Sequence, residues 1–293
     1  MRARCRSILG LAALAALLLG CDDEPRPLPE GVERTAVDTP DGLSGLARDG
    51  DGRLWAVAES ERWLVRLDGA VPRRVPLEGV PEGLDTESIA WIEGDRFALG
   101  TESMDESRDA DLILVVRVDG ERARVLERLA LPYAAVGVEA EENHGIEALC
   151  VAGGRYYAVL ENVITRGGAR HAPLAVYDPP TETWRAHRIR LRTETGKIAA
   201  LACRTDGDGE TVAAHAVERH FDVMRIHALA LPTDAPSGRT LVPREVRVLD
   251  ERLEDDPNLE GLEYDGDDVV LVTDNHHGRR TGPTELVRVR LTE

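Results

Sequence analysis

The chain has 293 residues, enough for one large or two ordinary domains, and sets 54 Asp and Glu against 36 Lys and Arg for a formal net charge of −18. That sign excludes nucleic acid as the expected partner, because neutralising phosphates takes the opposite charge. A hydrophobic fraction of 42% excludes global disorder, while an aromatic fraction of 4% leaves the core to Val, Leu, Ile and Ala.

Residues 1–20 are a different material from the rest. Arg2, Arg4 and Arg6 precede an apolar run from Ile8 to Leu19, followed by Gly20 and Cys21. The run is short of the roughly 20 residues a spanning helix needs and reads as a signal peptide. Leu18, Leu19, Gly20 and Cys21 resemble the lipobox of bacterial lipoproteins, which implies cleavage before Cys21 and acylation of its thiol. The expected product sits in the cell envelope facing the periplasm, held to a membrane through its lipid alone. An ordinary secretory signal with a chance cysteine is the alternative.

Residues 21–42 carry Pro25, Pro27, Pro29 and Pro40 among many acids, the composition of a tether, with one strand expected near Glu33 to Asp38. From residue 43 to 293 the chain repeats. Short apolar strands start as S-G-L-A at Ser44, E-S-I-A at Glu87, E-A-L-C at Glu147, A-A-L-A at Ala199 and E-G-L-E at Glu260. Each crosses a Gly-rich turn into a second, more apolar strand, ending at Glu59, Glu102, Glu161, Glu218 and Asp274. Third and fourth strands follow, as in Trp63 to Asp68 with Arg73 to Leu77.

Repeats of four strands suit an all-β propeller, in which a blade hides its faces only by stacking on its neighbours. The last repeat supplies three strands before Glu293, and the strand near Thr35 is available to complete it. Five four-stranded blades closed by an N-terminal strand are therefore expected, with six blades as the alternative and a β-sandwich as the competing architecture.

Adjacent strands of a blade are antiparallel, so the start of the first lies beside the end of the second. The positions brought together are Ser44 with Glu59, Glu87 with Glu102, Glu147 with Glu161, Ala199 with Glu218, and Glu260 with Asp274. Eight of these ten are carboxylates. First strands line a propeller's channel, so the acids should converge on one mouth. Like charges at that spacing raise one another's pKa unless a cation shares the site. Oxygen ligands favour Ca²⁺. The expected metal ligands are Glu87, Glu102, Glu147, Glu161, Glu260 and Asp274, with Asn143, Asn162, Asn258 and Asn275 as further carbonyl donors. Glu59, Glu218, Arg219, His220, Asn275, Arg166, Arg170 and Arg279 are the expected ligand-binding rim. The alternative is that the acids pair with loop arginines and cap strand ends.

The segments P-N-L-E-G-L-E-Y from Pro257, V-V-L-V-T-D-N from Val269, G-I-E-A-L-C from Gly145 and V-E-R-H-F from Val217 resemble the bacterial phytase-like family, also described as esterase-like activity of phytase. The resemblance spans about Leu43 to Leu291. It implies a propeller, an envelope setting and phosphoester or ester hydrolysis. The chain departs from a complete acid ring at Ser44 and Ala199, and its single lysine is Lys197.

Other catalytic patterns fail on inspection. G-L-S-G-L around Ser44 lacks the second spacer of G-x-S-x-G. D-G-D-G at Asp49 and Asp206 lacks a glutamate at the twelfth position of a calcium loop and reads as hairpin turns. His276 and His277 are adjacent and lack companions at zinc spacing. Aligned on Leu149 and Leu201, Cys150 and Cys203 fall on opposite strand faces, so two buried thiols are expected, with a disulfide as the alternative.

Two functions remain. One is a monomeric envelope module that binds a small anionic ligand or an envelope protein at an acidic, Ca²⁺-holding mouth. The other is a metal-assisted phosphoester or ester hydrolase. The first is preferred, because the sequence names no nucleophile, base and orienting group as a set.

Overall fold

The structure is a computed structural model that describes residues 28–39, 42–59, 61–69, 71–206, 211–220, 223–249, 258–275 and 283–291. The signal segment, Cys21, the Pro25 and Pro27 tether, His276, His277 and Arg279 lie outside them.

The described strands form five blades. The first holds β2 (Leu43–Arg48), β3 (Leu54–Ala58), β4 (Trp63–Arg66) and β5 (Arg73–Glu78). The second holds β6 (Leu84–Glu93), β7 (Arg96–Ser103), β8 (Ala110–Val118) and β9 (Ala123–Pro132). A one-turn helix α1 (Tyr133–Val136) leads into the third, built from β10 (Ile146–Ala152), β11 (Arg155–Leu160), β13 (Ala169–Asp178) and β14 (Thr183–Arg190), with β12 (Ile164–Arg166) folded back on β13. The fourth holds β15 (Lys197–Thr205), β16 (Val212–His220), β17 (Val223–Leu231) and β19 (Arg244–Val248). Its β18 (Thr240–Leu241) crosses to pair in parallel with β14 of blade three. The fifth combines β20 (Asn258–Asp265), β21 (Asp268–Asp274) and β22 (Thr284–Val289) with the N-terminal β1 (Val32–Val37).

The five-blade expectation holds, and β1 supplies the missing fourth strand. It pairs antiparallel with β22 over six residue pairs from Val32–Val289 to Val37–Thr284. The innermost strands contact one another in the cyclic order β2, β6, β10, β15, β20 and back to β2, which closes the ring.

The core follows from this stacking. The buried apolar residues fall into five clusters, one for each seam between neighbouring blades. The aliphatic residue of each first-strand motif enters a different one: Leu46, Ile89, Leu149, Leu201 and Leu262.

The same stacking corrects the cysteine expectation. Cys150 and Cys203 form a disulfide, with their Cα atoms 5.8 Å apart. Neighbouring blades meet front face to back face. Ala148, Cys150 and Ala152 leave blade three on the face that meets blade four, while Leu201 and Cys203 leave blade four on the face that meets blade three. Opposite faces of equivalent strands are therefore what an inter-blade bridge requires.

Candidate functional site at the channel mouth

Each innermost strand shifts register against its partner near the start of the strand, and β6 does so a second time between Trp91 and Glu93. The shifts near the start fall between Ser44 and Leu46, Thr86 and Ser88, Ile146 and Ala148, Ile198 and Ala200, and Leu259 and Gly261. The residues passed over are Gly45, Glu87, Glu147, Ala199 and Glu260. A bulge gives one strand an extra residue and re-aims its side chain, which frees these positions from the in–out alternation of the sheet. Gly45 shows how tight the mouth is: its φ is +60°, and a Cβ there would stand 2.7 Å from the Ile89 backbone nitrogen.

The bulges also revise the expected pairings. Glu102 stands opposite Asp85 rather than Glu87, Asp274 opposite Asn258 rather than Glu260, and Glu218 opposite Ile198. Glu161 and Glu59 sit one residue past their strands, where their N–H groups donate to Gly145 and Gly42 carbonyls at 3.0 Å. Sequence spacing could not supply this correction, because the first strands are buried on both faces and carry no in–out alternation for an extra residue to interrupt.

The carboxylates converge nevertheless. Glu102, Glu147 and Glu161 can each offer an oxygen with all three within 4.8 Å of one another. Burial pushes the Glu59 carboxyl up to about 8, helped by the charges of Asp274, Glu260, Glu102 and Asp85. Burial raises Glu102 to about 7, against a hydrogen bond shared with Glu87. Glu87 and Glu147 are held well above the ordinary carboxyl range, first by burial and then by their acidic neighbours. Glu260 rises to about 7 through burial, opposed by Arg219 and reinforced by Asp274. Asn258 Nδ2 bridges that last pair, donating to Glu260 Oε1 at 2.7 Å and Asp274 Oδ2 at 2.8 Å. Glu102 Oε2 and Glu260 Oε2 are buried with no hydrogen-bond partner among the described residues.

Close packing fixes this arrangement. A Cβ on Gly145 would lie 2.2 Å from Glu102 Cβ, so only glycine lets the approach to β10 pass against β7. Asn162 is buried and donates to the Glu139 carbonyl and to Glu141 Oε1, leaving its own Oδ1 without a partner among the described residues.

Blade four differs. Ala199 occupies its bulge, and Glu218 turns away into full burial. There Glu218 accepts from Arg192 N, Thr193 N and the Thr193 hydroxyl, and lies 2.9 Å from His227 Nε2. Its carboxylate is fully engaged within the blade. In place of acids the blade offers Lys197 and Arg219, cross-strand partners at the start of β15 and the end of β16. Lys197 Nζ lies 2.6 Å from Glu161 Oε1 in blade three, and Arg219 pairs with Glu260 in blade five. His144 Nε2 stands 3.7 Å from Glu161 Oε2 and 3.5 Å from Lys197 Nζ.

The sequence reading omitted Lys197, His144 and Asp85 from the site. The signal for Lys197 was present in its being the single lysine at the head of a first strand; nothing local marked the other two. The loop arginines mostly serve the loops: Arg62 donates to the Val80 and Pro81 carbonyls, and Arg170 to those of Thr193 and Thr195. Arg166 is exposed at the end of β12, His220 closes β16, and Asn275 Oδ1 accepts from Gly42 N at 3.2 Å. The Asp49 D-G-D-G motif is a turn, its carboxylate accepting from Asp51 N and Arg53 N.

Fold and site together define a five-bladed propeller with an acidic mouth crossed by one basic blade. The sequence matches the phytase-like family, described as esterase-like activity of phytase, over residues 40–277, and the chain belongs to that family. Among curated proteins none matches it. Among solved structures it is similar to the PQQ-bound form of aldose sugar dehydrogenase from Streptomyces coelicolor, with 13% identity, a TM-score of 0.49 and coverage of 91% of this chain and 100% of that one. It is also similar to a luciferin-regenerating enzyme, at 12% identity and a TM-score of 0.43 over 87% of this chain and 79% of that one. A third likeness is YCF48 bound to D1 peptide, at 10% identity and a TM-score of 0.42 over 91% and 98%.

Proposed function

We propose that this member of the phytase-like family is a monomeric envelope lipoprotein, anchored through Cys21, whose channel mouth binds Ca²⁺ and with it a small anionic ligand or an envelope protein. The supporting observation is the convergence of carboxylates from four blades, with Glu102 Oε2 and Glu260 Oε2 buried and without a partner among the described residues. An all-oxygen donor set suits a hard cation, and Ca²⁺ accepts six to eight such ligands in flexible geometry. Glu102, Glu147 and Glu161 would hold it, with Glu87, Glu59, Glu260 and Asp274 around them.

A second reading, metal-assisted hydrolysis of a phosphoester or ester, draws on the family and on Glu59. A carboxyl whose pKa is about 8 can hold and release a proton near neutrality, as a general acid or base must. A bound cation would polarise the substrate oxygen or acidify a water.

Calorimetric titration with Ca²⁺ and Mg²⁺, alongside thermal melts, tests the metal reading. Millimolar Ca²⁺ is expected to raise the melting temperature, with Mg²⁺ weaker because it sheds water reluctantly. Glu147→Gln should reduce the Ca²⁺ effect while leaving the metal-free protein at least as stable. No Ca²⁺ binding, together with a strongly destabilised Glu147→Gln, would overturn the reading. Chelator-controlled assays on phosphomonoesters and carboxyl esters separate binding from hydrolysis.

A further inference from the structure

Of 36 basic residues one is a lysine, and it stands on the acidic cluster. Lys197 Nζ holds Glu161 Oε1 at 2.6 Å, and Glu161 is one of the three carboxylates whose oxygens approach within 4.8 Å. A divalent cation seated among Glu102, Glu147 and Glu161 needs that same carboxylate. Lysine and metal therefore compete for it.

The chemistry of the two basic side chains makes the competition one-sided. Arg219 Nη2 donates to Glu260 Oε1, which also accepts from Asn258 Nδ2. Lysine is a point charge on a flexible four-carbon stem, able to swing with little loss of hydrogen-bond geometry. The Lys197 and Glu161 side chains are 29% and 20% exposed, so the ammonium has solvent and channel space to move into. The near edge of the site already carries positive charge from Arg219, directly across the β15–β16 ladder.

We propose that Lys197 is a displaceable counter-ion: a divalent cation entering the Glu102–Glu147–Glu161 cluster takes Glu161 from it, and the released ammonium becomes, beside Arg219, an anion subsite on blade four. This rests on the metal reading above and adds an order of events to it. The cation binds first and creates a place for a phosphate or carboxylate group bridging metal and ammonium. Linkage makes the effect reciprocal, so the anion tightens the cation by the same factor.

Lys197→Met removes the competitor and the subsite together. Calorimetry is expected to show Ca²⁺ binding roughly fivefold tighter in Lys197→Met than in the parent, the size of one partly exposed ion pair. Inorganic phosphate, titrated at Ca²⁺ levels below precipitation, should bind the Ca²⁺-loaded parent more tightly than the Ca²⁺-loaded variant. A measurement on the unaltered protein stands beside these: the acylation rate of Lys197 by an amine-reactive ester, followed by mass spectrometry, should rise when Ca²⁺ is added. Ca²⁺ binding that is equal or weaker in Lys197→Met, or an acylation rate that Ca²⁺ leaves unchanged or lowers, overturns this inference alone. Absence of Ca²⁺ binding in both proteins removes the metal reading, and the inference falls with it.

Discussion

Glu218 and Glu260 occupy neighbouring blades, and their surroundings drive their carboxyls in opposite directions. Burial pushes Glu218 up, but hydrogen bonds from His227, Thr193 and the Arg192 and Thr193 backbone outweigh it and hold the group at about 2. Its folded pKa thus lies below the unfolded value, so the stability it confers is complete above about pH 4.5 and is lost as pH falls toward 2. Glu218→Gln is expected to cost about 3 kcal/mol at pH 7, the range for a buried carboxylate that loses its charge-assisted hydrogen bonds. Urea unfolding should show the gap between parent and variant closing as pH is lowered through that window; a gap independent of pH would contradict the assignment. The sequence placed Glu218 among the ligand-binding acids because a strand-end glutamate looks alike in every blade. What distinguishes it is the loop from Arg192 to Thr193, whose N–H groups no local pattern aims at it.

At the scale of strands, much was legible because turns and apolar runs recur in register. The motif starts, the Gly-rich turns and the spare N-terminal strand led to five blades, and all three appear in the fold. The bulges were hidden, since strands buried on both faces show no alternation for an inserted residue to break, while the insertion shifts every cross-strand neighbour by one. The short β12 and β18 were hidden too, being additions to a blade that needs only four strands. β1 carries the ring's closure: it covers the edge of β22, and its Arg34 pairs with Glu285. Deleting 32–37 would expose that row of backbone donors and acceptors and open the ring. Thermal melts are expected to show a large loss for that deletion and little change for deletion of 22–27. Equal melting of both with the parent would sink the closure argument.

For the molecule as a whole, the acid excess sharpens into one local field at the mouth. Glu59 at about 8 and Glu102 and Glu260 at about 7 bind protons in the folded state that the unfolded chain has released above about pH 4.5. The folded form therefore carries more protons across this window, and stability must fall as pH rises from about 5 to 8. Calorimetric scans in chelator are expected to show a melting temperature declining over that range, with Ca²⁺ restoring it at the alkaline end. A flat or rising profile in chelator would show that these carboxyls are already compensated.

The parallel contacts at the blade edges bear on how such a ring can yield. Backbone ladders cross two of the five seams among the described residues: β5 with β9 joins blades one and two, and β14 with β18 joins blades three and four, where the disulfide adds a covalent tie. The chain passes from blade five to blade one between β1 and β2, as it passes from blade two to blade three through α1. Two lines between blades, one between two and three and the other between four and five, carry no such ladder among the described residues. The first line separates Glu102 from Glu147 and Glu161; the second separates Arg219 from Glu260. A cation spanning the first would act as a rivet, drawing blades two and three together from the inside, and any partner that pried those blades apart would loosen the ion's grip.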